Sequence, residues 1–176
     1  MSTAIVVGNP KPRSRTFEAA CFLIEQLTGH EPDIAIDLID FGPALLDWSD
    51  PAVGAAVTTL QQTHLAVFAS PTYKATYTGL LKLFLDRIGG GALSGVTAIP
   101  LMLGGDVRHS LAPEVFLKPV LAELGASSPT RGLFLIDAEY NTAPAFEAWL
   151  ETGRPQLASV LDAISSAQNA TSPDER

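Results

Sequence analysis

Short apolar runs recur along the chain, and between them apolar residues return at helical spacing. Ile5-Val6-Val7 ends at Gly8-Asn9-Pro10, and residues 16–27 then place Phe17, Cys21, Ile24 and Leu27 on one helical stripe closed by Gly29. Ile34-Ala35-Ile36-Asp37-Leu38-Ile39 reads as a second strand, and Pro51 opens a helix to about Gln62 as a first-turn proline. Leu65-Ala66-Val67-Phe68-Ala69 is a third strand. From Thr78 onward Leu80, Leu81, Phe84, Leu85 and Ile88 share a helical face, which Gly89-Gly90-Gly91 stops. The run from Val96 to Leu103 is apolar enough for a fourth, fully covered strand, although Pro100 has no N–H to donate and argues for a strand edge or bulge. A helix is expected within 112–124, closed by Gly125. Leu133-Phe134-Leu135-Ile136 forms the fifth strand, and a last helix starts near Pro144, with a break at Gly153-Arg154-Pro155.

Five continuous apolar strands alternating with helices predict a doubly wound α/β fold: a five-stranded parallel sheet covered by helices on both faces. Each crossover helix must lie on a face of the sheet, so the strands are buried twice. One domain is expected over residues 1–166, and residues 167–176, which lack apolar periodicity, are expected to form a disordered tail.

Composition narrows the chemistry. Apolar residues make up 47% of the 176 positions and charged residues 17%, which supports a core-rich globular protein. Eleven basic against 19 acidic residues give a net charge of −8, which disfavours nucleic acid and membrane surfaces as partners. Cys21 is the single cysteine, so neither an internal disulfide nor a thiolate metal site is available. No apolar run approaches the ~20 residues that span a bilayer. Met1-Ser2-Thr3-Ala4 carries no basic segment or cleavage signature, and the expected location is cytoplasmic.

In an open α/β sheet, ligands bind beyond the carboxyl ends of the strands where strand order reverses, so the loops after strands one, three and four matter most. The first, Gly8 to Thr16, holds Lys11, Arg13 and Arg15, and no acid precedes Glu18. Ser14 can cap a helix whose free N–H groups already favour an anion, and the natural reading is a phosphate site. The plainer alternative is a solvated basic loop with an ordinary serine cap. The loop is neither Gly-x-x-x-x-Gly-Lys nor Gly-x-Gly-x-x-Gly, so a triphosphate P-loop and a dinucleotide fingerprint are both unsupported. The second loop, Ser70 to Gly79, mixes Pro71, Thr72, Tyr73, Lys74 and Tyr77, and no carboxylate occurs between Asp50 and Asp86. That mixture suits a flat heteroaromatic ligand, although the tyrosines could instead cover the sheet end or a subunit contact. In the third loop, Gly104-Gly105 permits close backbone approach but equally makes an ordinary turn. His30, His64 and His109 lie in separate segments, Ser70 is in no Gly-x-Ser-x-Gly elbow, and Cys21 reads as an inert stripe residue. No catalytic side chain and no metal site is expected.

At these loops the chain resembles the NADPH-dependent FMN reductases of flavodoxin-like fold, in particular the branch that serves alkanesulfonate and related monooxygenases. The resemblance extends to about residue 165. It is carried by Gly8-Asn9-Pro10-Lys11 with Ser14-Arg15-Thr16, by Ser70-Pro71-Thr72-Tyr73-Lys74-Ala75 with Tyr77, Gly79, Leu80, Leu81 and Lys82, and by Gly104-Gly105 with His109, Leu111, Lys118-Pro119-Val120-Leu121 and Leu124-Gly125. The resemblance implies a phosphate loop at Lys11, Ser14, Arg15 and Thr16, a flavin-edge loop at Pro71, Thr72, Tyr73 and Lys74, and a ring-side loop at Gly104 and Gly105. Asn9 stands where family loops usually have serine, so its amide or the backbone must replace one hydroxyl. In the alkanesulfonate branch a tyrosine inserted after the third loop makes a π-bulge linked to assembly. The aligned place here is Val115, which leaves the bulge, the tetramer and the specific monooxygenase partner open.

The implied activity is hydride transfer from NAD(P)H to FMN, with the chemistry supplied by the cofactor and the fold supplying orientation. Arg13 and Arg108 are candidates for the 2′-phosphate of NADPH by charge and loop position. The implied partners are a second copy of the chain, in a dimer or tetramer, and a flavin-dependent monooxygenase that takes up the reduced flavin. Two other readings share the site: a flavodoxin-like FMN electron carrier, and an FMN-bound reductase of quinones, azo compounds or metal ions.

Overall fold

The computed structural model describes residues 1–171, with side chains to position 167. Strands β1 (Thr3–Val7), β2 (Ile34–Asp37), β3 (Leu65–Pro71), β4 (Thr97–Gly104) and β5 (Leu133–Ile136) pair in parallel, in the order β2-β1-β3-β4-β5. The chain runs outward from β1 to β2 and then returns across β1 to β3, so the order reverses between β1 and β3. Helix α1 (Arg15–Thr28) lies with α5 (Ala143–Thr171) on one face. Helices α2 (Pro51–Gln61), α3 (Gly79–Leu85) and α4 (Lys118–Glu123) cover the other. Strand alternation divides the core accordingly: Ala4, Val6 and Phe68 pack toward α2 to α4, whereas Ile5, Val7 and Val67 pack toward α1 and α5.

Helix starts follow local chemistry. The Ser14 hydroxyl accepts the Phe17 N–H, the Asp50 carboxylate accepts the Ala52 and Val53 N–H groups, and the Thr78 hydroxyl accepts the Leu81 N–H. Beyond its cap, α1 is held by Leu23, Ile24 and Leu27, each buried on the sheet and each contributing about 1.5–3 kcal/mol of transfer free energy.

Three sequence expectations need correction. Strand β2 stops at Asp37, whose carboxylate accepts the Arg13 N–H and guanidinium at 2.9 and 2.8 Å, and gives way to two 3-10 turns over Leu38–Leu46 that are separated by Gly42 at φ 51°. Pro100 lies within an interior strand, paired with Phe68, and not at an edge or bulge. The Ala98 N–H donates to Ser127 on the β5 side, and alternate residues face the same neighbour, so Pro100 turns its missing donor to that side too. There the β5 ladder begins only at Leu101–Leu133, so the donor is not missed. The last helix is unbroken: Pro155 lies inside α5, and the helix continues to Thr171, into the stretch read as tail from 167. Phe146, Trp149 and Leu157 buried on the sheet and an Arg154 bond to the Gln26 carbonyl of α1 hold it on both sides of the proline. The rest of the expected tail, 172–176, lies outside the described residues.

The bulge that the sequence left open is present. Pro113–Leu117 winds as a π-turn, with the Lys118 N–H donating to the Pro113 carbonyl five residues back, and no tyrosine is present. Pro113 and Pro119 bracket it without N–H donors, so the ordinary helical ladder is already incomplete at both ends and the extra residue forfeits little. Glu114 fixes it from the side, accepting from Lys118 Nζ at 2.8 Å and from the Gly132 N–H at 2.7 Å. Burial raises the Glu114 carboxyl pKa, but these two bonds together with the positive charges of Lys118 and Arg131 outweigh it and the net displacement is downward.

Candidate functional site

Three loops converge beyond the carboxyl ends of β1, β3 and β4, at the strand reversal, around an open cleft of about 410 Å³. That size lies within the ordinary range for small-ligand pockets. Its lining comprises Asn9, Lys11, Ser14, Arg15, Pro71, Thr72, Tyr73, Leu103, Gly104, Gly105 and Asp137.

The β1 loop is closed on itself. Asn9 spends its amide inside the loop, accepting the Lys11 N–H at 2.9 Å and donating to the Thr16 hydroxyl at 2.9 Å. Gly8 meets the start of α3 so closely that a Cβ there would stand 2.5 Å from Leu81 Cβ. Its carbonyl accepts the Thr78 hydroxyl at 2.6 Å. The loop therefore delivers Lys11, the Ser14 cap and Arg15 to one end of the cleft, where the N–H groups of Arg15 and Thr16 have no helical acceptor. Two cationic side chains and a helix N-terminus give that end the chemistry that favours an anion.

The opposite wall is apolar and neutral. The Thr72 N–H donates to the Leu103 carbonyl at 2.7 Å, which lays β3's exit against β4's. The Thr72 hydroxyl is buried and has no hydrogen-bond partner. A Cβ on Gly104 would reach 3.3 Å from that hydroxyl and 2.7 Å from Phe134 Cζ, so only glycine leaves this approach open. A buried hydroxyl without a partner costs about 1–3 kcal/mol, and a flat ligand with polar edges would recover it. The donor set thus fits a phosphorylated heteroaromatic molecule such as a flavin mononucleotide: cations at one end, an unsatisfied hydroxyl and a glycine floor at the other.

Most site candidates singled out in the sequence reach the cleft; Thr16, Lys74, Arg13 and Arg108 do not. Thr16 is buried and turned inward to Asn9, so its hydroxyl supports the loop from behind. Lys74 occupies the tip of a two-residue hairpin in which Tyr73 and Thr76 exchange backbone bonds at 2.9 and 3.3 Å. Lys74 and Ala75 adopt φ of 52° and 70° there, the left-handed pair such a turn requires, and Lys74 is exposed and not among the lining residues. Arg13, also with positive φ, is engaged by Asp37 and Asp40, each at 2.8 Å, and is not among the lining residues. Arg108 is paired with Asp106 at 2.9 Å and is 81% exposed, again away from the lining.

Two lining residues escaped the sequence reading. Leu103 is the strand position just before Gly104 and could have been found by counting back from the glycine pair. Asp137 follows β5 directly, at a strand exit that the switch-point rule does not single out. Its carboxylate accepts from the Arg15 guanidinium. Elsewhere, Cys21 is half-buried on α1, and burial, with Glu31 and Glu18 nearby, pushes its thiol pKa up to about 11. Among the described residues there is no cluster of metal-ligating side chains, and no helix is long and apolar enough to cross a membrane.

Comparison with known proteins gives the same direction. The sequence profile of the NADPH-dependent FMN reductase family matches residues 1–141. The chain is 34% identical over 159 residues to an FMN reductase (NADPH) of Escherichia coli strain K12, covering 86% of this chain and 83% of that one. It is 30% identical over 145 residues to the NADH-dependent FMN reductase SfnF of Pseudomonas fluorescens, covering 78% and 76%. Among solved structures, an apo NADH:FMN oxidoreductase (EMOB) superposes with a TM-score of 0.74 at 28% identity, covering 95% and 90%.

Proposed function

The chain belongs to the NADPH-dependent FMN reductase family, with its flavodoxin-like fold, and from that premise we propose that the cleft beyond β1, β3 and β4 is where FMN is held and reduced. The protein is an oxidoreductase that reduces FMN at the expense of NAD(P)H. The observation that carries the site assignment is the polarity of the cleft: Lys11, Arg15 and the capped start of α1 at one end, Thr72 and Gly104 at the other.

When bound, FMN supplies the two-electron chemistry, accepting a hydride from the reduced nicotinamide. Lys11, Ser14, Arg15 and the first N–H groups of α1 grip the phosphate. Pro71, Thr72, Tyr73 and Gly104-Gly105 border the ring and exclude water from one side of it. Asn9 acts on the phosphate indirectly, by holding the loop's shape. The lining holds no histidine or cysteine, and its carboxylate, Asp137, is paired with Arg15, so its hydroxyls have no free base beside them and the cleft is equipped to bind and orient flavin.

Reduced FMN is then a product that leaves, and its consumer is a flavin-dependent monooxygenase. The working form is a homodimer in a cytoplasmic setting. Exposed apolar side chains at Tyr73 on the cleft rim and at Val107, Leu111, Val115 and Phe116 after β4 support a second copy as their cover. Anaerobic stopped-flow with NADPH and excess FMN tests the reading. Bleaching of many FMN equivalents per subunit is expected, faster with NADPH than with NADH. Bleaching that halts at one equivalent while NADPH remains would mean a fixed prosthetic group or an electron carrier.

A further inference from the structure

We infer that Asp137 is an internal competitor for the flavin phosphate: its carboxylate occupies the Arg15 guanidinium that the phosphate needs, and thereby sets how tightly phosphorylated flavin is retained. The inference rests on the reading of the cleft as the FMN site.

Arg15 is the first residue of α1 and Asp137 the first after β5, 122 positions apart, yet they form an ion pair at the cationic end of the cleft. Both belong to its lining, beside Lys11 and Ser14. The guanidinium is steadied further by the Tyr140 ring, 5.8 Å from Arg15 Cζ, and Tyr140 in turn donates its hydroxyl proton to Glu18 at 2.7 Å. Arg15 is thus held in place before any ligand arrives, with its charge already answered. Lys11 makes no ion pair among the described residues.

Charge makes the consequence concrete. Lys11 and Arg15 bring two positive charges and Asp137 removes one, while a phosphate monoester carries about −1.5 to −2 near neutral pH. The phosphate must take Arg15 from Asp137 or share it. Both partners are partly open to water, with side chains 59% and 44% exposed, so the pair is weak enough to exchange. An enzyme that gives its reduced flavin away is served by a phosphate grip that is half-neutralised from within.

The test compares FMN with riboflavin, which has the same ring and no phosphate. Dissociation constants are measured at fixed ionic strength for the wild-type protein, Asp137→Asn, Asp137→Glu, Arg15→Ala and the Arg15→Ala/Asp137→Asn double variant. Asp137→Asn is expected to tighten FMN about fivefold, in line with freeing an exposed ion pair, and to move riboflavin by less than about twofold. Asp137→Glu should keep the wild-type ratio, and the gain should vanish in the Arg15→Ala background. A purely structural role at the β5 exit would shift both flavins together and would overturn the inference. Unchanged or weaker FMN binding in Asp137→Asn, or a gain that survives Arg15→Ala, would also overturn it. If Arg15→Ala weakens FMN while Asp137→Asn is neutral, the competitor role fails alone. If Arg15→Ala leaves FMN untouched, the phosphate placement fails and takes the inference with it.

Discussion

Thr78 joins the phosphate loop to α3, and replacing it with valine isolates that joint. Its hydroxyl donates to the Gly8 carbonyl at 2.6 Å and accepts the Leu81 N–H at 3.2 Å, both in the buried interior. Valine has nearly the same volume and keeps the backbone N–H that donates to Ser70 Oγ at 3.0 Å, so no cavity forms and that bond survives. Two things are lost: a helix cap, about 1 kcal/mol, and the donor to a buried carbonyl, about 1–3 kcal/mol. The close seat of Gly8 on Leu81 leaves no room for water to replace the hydroxyl. Thr78→Val should therefore cost about 2–4 kcal/mol, which lowers Tm by roughly 5–15 °C in a domain of this size. Urea unfolding should show an earlier midpoint at unchanged slope, and FMN should bind several-fold more weakly because the Gly8 end of the loop is released. Thr78→Ser, which restores the hydroxyl, should recover most of both. Stability of Thr78→Val within about 0.5 kcal/mol of wild type would refute this account of how the loop is anchored.

Two further outcomes follow from single groups. Thr72→Val removes a buried hydroxyl that has no partner, so the ligand-free protein should gain up to about 1 kcal/mol in urea unfolding while FMN binding weakens about fivefold; a loss of stability would show that the hydroxyl is satisfied within the protein. Cys21, with its thiol pKa pushed up to about 11, should react with iodoacetamide slowly at pH 7.5 and about tenfold faster per pH unit until that value; rapid alkylation at neutral pH would contradict the half-buried placement.

Much of the architecture was legible from residue order alone. Each strand had to be apolar on both sides because helices cover both faces, so β1, β3, β4 and β5 announce themselves as continuous runs. Ser14, Asp50 and Thr78 mark helix starts through the free N–H groups they satisfy. The cationic first loop and Gly104-Gly105 are also local signals, since they lie at strand exits. What tertiary structure decided is which of these groups face a common space. Thr16 and Lys74 looked equivalent to their neighbours in sequence, but a bond to Asn9 turns one inward and the other sits exposed on a left-handed hairpin outside the lining. Pro100 and Pro155 are penalised by local rules, yet one turns its missing donor to a gap before the next strand and the other is held by packing on the sheet and α1. The π-turn at Pro113–Leu117 depends on Glu114 reaching Gly132 across 18 positions. Asp137 and Arg15 meet only because β5 ends and α1 begins at the same rim of the sheet, and long-range juxtaposition of that kind leaves no periodicity or spacing for a single sequence to display.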